Sequence, residues 1–86
     1  MKKIYKYNLY ITDQQFIEIP GEILSVANQN ENIVLYALVN DNWTPVKYSI
    51  LIVGTGNPID DCIRDYKFLG TVPICNDKLM WHVFYK

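Results

Sequence analysis

The sequence predicts a mainly β fold. We expect a compact antiparallel domain of about seven short strands, closed as a small barrel or packed as two sheets, with one short helix near residues 58–64. Three observations predict this. Apolar residues recur with a period of two through most of the chain. Clusters of Pro, Gly, Asn and Asp interrupt that alternation at short intervals. The links between segments are short, which favours antiparallel neighbours, because a parallel crossover needs a dozen or more residues.

Each element follows from its own residues. In segment 4–11, Tyr5, Tyr7, Leu9 and Ile11 share one face and Lys6 and Asn8 the other. Turn chemistry at 12–15 precedes a short strand at 16–19, with Ile17 and Ile19 directed inward, and Pro20-Gly21 stops it. Residues 22–28 form a third strand with Leu24 and Val26 on one face. The polar run 28–32 is of hairpin length. Residues 33–39 are apolar on both faces, as a central strand would be. A connector at 40–45 leads to a further apolar strand at 46–53. Asn57 suits a helix N-cap, Pro58 the first helical position, and Asp60 and Asp61 the first turn, where the helix dipole favours acids. Strands at 66–72 and 79–85 flank a turn centred on Asn76-Asp77.

The chain has 86 residues, half of them apolar, so it supports one domain, 1–86. A domain of this size has a small stability margin, on the order of 5 kcal/mol. Self-association would add to it, and a homo-oligomer is expected. Net charge is −1 with mixed signs, which argues against direct DNA or RNA binding. Lys2, Lys3 and Lys6 read as a self-repelling edge strand. No secretory pattern or spanning run is present, so a cytoplasmic location without membrane contact is expected. Cys62 and Cys75 read as small buried hydrophobes in a reducing compartment.

The stretch Gly54, Thr55, Gly56, Asn57 raises the question of a phosphate cradle. It has the preceding strand but lacks the third glycine of a dinucleotide fingerprint and the Gly-Lys of a P-loop. A glycine turn feeding a capped helix is the simpler reading, with a ligand loop as the alternative. His82 is the only histidine. It has no C-x-x-C pair to join in a zinc site, and a half-buried strand residue is its plainest role. No metal or cofactor is expected, and no complete catalytic set is present. A small enzyme using Cys75 or Cys62 with His82 is a third reading, opposed by the lack of a basic neighbour or helix N-terminus to activate the thiol. Asp60, Asp61 and Asp65 read as a solvated acidic face, or as a partner surface. Trp43 lies in a polar connector, where it either folds back on the core or anchors a partner.

Taken as strings, the N-terminal M-K-K-I-Y-K-Y, the segment I-V-G-T-G-N-P-I and the closing W-H-V-F resemble a family of small uncharacterised proteins encoded by bacteriophages and prophages. Asn57 stands where members of that family often carry histidine. The resemblance implies an accessory binding protein of the anti-defence kind. Its partner would be a sequestered nucleotide-like small ligand, or a host defence protein or nuclease that it blocks. The ligand residues would be Gly54, Thr55, Gly56, Asn57, Trp43 and His82. The protein-blocking surface would be Asp60, Asp61 and Asp65.

Overall fold

The computed structural model describes residues 1–86. Seven strands run β1 (Lys2–Asn8), β2 (Gln14–Ile19), β3 (Gly21–Gln29), β4 (Asn32–Asn40), β5 (Val46–Gly54), β6 (Lys67–Ile74) and β7 (Leu79–Tyr85). They form two antiparallel sheets, a three-stranded one of order β1-β4-β3 and a four-stranded one of order β2-β5-β7-β6. The fold is therefore mainly β, as two packed sheets with no closed barrel.

Every strand pairing is antiparallel. Yet only the β3–β4 and β6–β7 links are hairpins between paired neighbours. The other links change sheet or skip a strand, so short connections did not translate into sequential pairing. The step from β2 to β3 is made by Pro20 alone. A Cβ at Gly21 would meet the β4 carbonyl of Leu38 at 1.8 Å, so only glycine lets the chain turn this corner. Tyr48 Oη donates to the Gly21 carbonyl at 2.8 Å and fastens the corner to the other sheet.

The core lies between the sheets. Ile23, Ile33, Leu35, Ala37 and Val39 from the three-stranded sheet meet Ile19, Ile50, Ile52, Val72, Ile74 and Val83 from the other. Here Ile19 is buried and Ile17 packs half-buried against the cluster. β4 occupies the centre of its sheet. The expected placement of Leu24 and Val26 on one face is corrected by a β-bulge between Ile23 and Ser25. The extra residue resets the alternation. Ile23 and Val26 face the core, and Leu24 is left 45% exposed.

The first strand ends at Asn8 instead of continuing to Ile11. Leu9 remains in the core, while Ile11 is exposed. β1 is an edge strand, as its lysines suggested. The expected helix at 58–64 is a single 3-10 turn, Asp61–Asp65, and its cap is Asp60 and not Asn57. The Asp60 carboxylate accepts from the Cys62 backbone N–H at 3.0 Å. Asn57 instead closes a turn by donating its N–H to the Gly54 carbonyl at 3.1 Å.

β5 and β6 both run antiparallel to β7, which lies between them. Residues 55–66 must therefore cross one face of this sheet. Tyr66 Oη hydrogen-bonds Ser49 Oγ, and Ser49 alternates with the core residues Ile50 and Ile52. The crossover thus lies on the outer face of the four-stranded sheet.

Candidate functional site

The glycine stretch is a tight turn at the end of β5. Gly56 holds φ at +85°, a conformation side chains resist. Gly54 has a different reason. A Cβ there would lie 2.8 Å from Asn57 Nδ2 and 3.2 Å from Trp81 Cζ3. The space its hydrogen leaves is filled by the protein's own amide and indole, and Gly54 pairs directly with Trp81 across β5 and β7. The Trp81 Nε1 is buried and has no acceptor.

Beside this turn lies a cleft of about 380 Å³. Its apolar surface comes from Ile11, Leu51, Val53, Pro58, Ile59 and Trp81. Asp13, Asp60 and Asn57 supply polar groups, with Cys62 alongside, and no lysine or arginine lines it. Asp13 is held there because its carbonyl accepts from the Ile52 N–H at 3.4 Å, extending the β2–β5 ladder by one rung.

His82 sits next to the same turn, on the outer face. Its Nε2 hydrogen-bonds Thr55 Oγ1 at 2.7 Å and its Nδ1 hydrogen-bonds Thr71 Oγ1 at 2.9 Å. A neutral imidazole offers one donor and one acceptor, and a hydroxyl can serve either. The two threonines therefore satisfy both tautomers. No thiol is among its hydrogen-bond partners.

Of the residues singled out in the sequence, Gly54, Thr55, Gly56, Asn57, His82 and Asp60 come together at this end of the molecule. Trp43 does not. It lies before β5, whose nine residues separate it from Gly54 by roughly 27 Å at the usual rise per residue. Lys2 Nζ lies 5.9 Å from the Trp43 ring centroid. Asp61 and Asp65 are exposed at the two ends of the 3-10 turn, with Arg64 between them. The cysteines overturn expectation, because both are exposed. Cys62 lies in the crossover and Cys75 in the β6–β7 turn, outside the packed sheets.

Sequence reasoning missed Ile11, Asp13 and Trp81. The first two belong to a connector that period-two patterning treats as featureless. Trp81 meets Gly54 only through the β5–β7 register. No group of three His, Cys, Asp or Glu side chains gathers to hold a metal ion. No helix is long and apolar enough to cross a membrane.

Fold and site together define a class: a small two-sheet antiparallel β protein with a cleft where a glycine turn leaves one sheet. The sequence profile of DUF7352, a domain of unknown function, matches residues 1–86, so the chain belongs to that family. No curated protein and no solved structure matches it.

Proposed function

We propose that this chain is a non-catalytic accessory binding protein. It sequesters a small nucleotide-like ligand as an anti-defence activity in the host cytoplasm, and it works as a homo-oligomer. The cleft between residues 11–13 and 57–62 carries the reading. It joins an apolar floor to a few convergent polar groups, the usual make-up of a small-molecule site. The carboxylates of Asp13 and Asp60, without a neighbouring cation, favour the base and sugar of such a ligand over its phosphate. The pairing of His82 with Thr55 and Thr71 supports a role for that ring in holding the turn beside the cleft, in preference to proton transfer. The phage and anti-defence setting rests on the sequence resemblance alone.

Thermal-shift measurements with nucleosides, linear nucleotides and cyclic dinucleotides test this. A rise in Tm with nucleosides, reduced by Ile59→Asp, is the expected result. No shift with any of them removes the sequestration reading. The exposed carboxylates of Asp61 and Asp65 favour a second reading, a surface that blocks a host defence protein or nuclease. Capture of such a nuclease by the wild type but not by an Asp61→Asn, Asp65→Asn variant distinguishes it.

A further inference from the structure

The two sheets differ on their outer sides. The crossover 55–66 covers part of the outer face of the four-stranded sheet, through Tyr66 over Ser49, and leaves Phe16 and Phe68 exposed there. No strand of the fold packs over the outer face of the three-stranded sheet. The middle of that face is apolar, with polar and charged side chains around it. Ile4 and Leu38 are directly paired, and Tyr36 follows two residues along β4. Ile4 is 65% exposed and Leu24, thrown outward by the bulge, 45%. Trp43, 37% exposed, borders the same end beneath the Lys2 ammonium.

We propose that this face packs against the same face of a second copy, across a two-fold axis parallel to β4. The distribution of charge argues for that occupant and that axis. Lys2 and Lys6 stand on the β1 flank, two residues to either side of Ile4. Glu22 stands on the β3 flank at the level of Leu38, the partner of Ile4. Rotation about an axis along β4 lays β1 of one copy over β3 of the other. Each Glu22 then faces the lysine flank of its partner, and Tyr36 and Leu38 stack on their own copies. An axis perpendicular to the strands would instead set lysines against lysines.

The polar groups on the face tolerate being covered. Lys6 Nζ is already bound to Gln29 Oε1 at 2.6 Å, reaching across β4. Three strands of seven to nine residues present roughly 14 by 25 Å at standard spacings. Pairing two such faces buries on the order of 1,000 Å² in total, the lower end for specific interfaces. An interface at that lower end is of the weak, reversible kind, so the dimer forms in a concentration-dependent way.

This inference rests on the self-association in the proposed function but not on its ligand. Sedimentation velocity between about 5 and 500 μM tests it on the full chain. The wild type shifts from monomer to dimer across that range. Ile4→Lys and Leu24→Lys each weaken the dimer at least about tenfold while leaving the near-UV circular dichroism, and the Tm at concentrations where the wild type is monomeric, unchanged. Glu22→Lys weakens it too, and adding Lys2→Glu restores it. A monomer at every concentration overturns the proposal, as does a dimer indifferent to both lysine substitutions. Thermal shift with nucleosides on the same samples separates the readings. Ligand binding by a strict monomer refutes this face alone, and dimerisation without ligand binding refutes the cleft alone.

Discussion

Single residues carry much of the geometry. Gly21 and Gly56 are both small for different reasons. Ala at Gly21 would drive a methyl into the backbone of β4 and force the sheet-to-sheet corner apart. Ala at Gly56 meets no atom within 4 Å and suffers only its positive φ. Gly21→Ala should therefore cost about 3 kcal/mol or more, and Gly56→Ala about 1 kcal/mol. Urea unfolding of the two variants checks the order, and equal costs would contradict this account of the corner. Glu31 shows strain offset by bonding. It holds φ at +65° in the β3–β4 hairpin turn. Its carboxylate accepts from Asn28 Nδ2 at 3.0 Å and from the Cys75 N–H at 3.3 Å. Glu31→Ala loses those bonds and keeps the strain, whereas Glu31→Gly loses both. The glycine variant should be the more stable by about 1 kcal/mol, read from the same unfolding curves.

The elements show how far the sequence is legible. The strands at 33–39 and 46–53 were plain, because strands covered by a second sheet must be apolar, and such runs stand out. The first strand was overextended because Ile11 continues the alternation. It lines the cleft and not the core, and periodicity cannot tell those apart. Leu24 was misplaced because a bulge adds one residue without any mark in composition. The helix was overlong for a related reason. Asn57 and Asp60 are both good caps, and local chemistry does not choose between them. Asn57 is taken up by the turn, its amide lying against Gly54, and Asp60 is the one whose carboxylate reaches the Cys62 N–H of the first turn. Gly54–Asn57 and His82, expected as ligand residues, lie at one end of the molecule, where only Asn57 of them lines the cleft, and Trp43, grouped with them on residue type alone, lies elsewhere. Which strands share a sheet was not readable, since both sheets obey the same period.

At the scale of the molecule, tyrosines on the inner faces tie stability to pH. Burial raises the pKa of Tyr7, with Tyr5 adding to it. Burial also raises that of Tyr48, with smaller contributions from Tyr85 and Glu22. The folded state then holds these protons more tightly than the unfolded chain, where tyrosine titrates near 10. Stability is complete below about pH 10 and falls as pH rises beyond it. Urea unfolding at stepped alkaline pH should show that decline. Tyr48→Phe should start lower at neutral pH, having lost its bond to the Gly21 carbonyl, yet decline less steeply above about pH 10. An unchanged slope would mean that Tyr48 is not among the groups responsible.

The central claim is that the cleft beside the glycine turn holds a ligand without transforming it. Backbone amide NMR during titration with adenosine and guanosine tests this most directly. The account predicts saturable shifts confined to residues 11–13, 51–62 and the Trp81 region, with the nucleoside recovered intact. Absence of shifts with either nucleoside, shifts centred elsewhere, or chemical conversion of the nucleoside would contradict it.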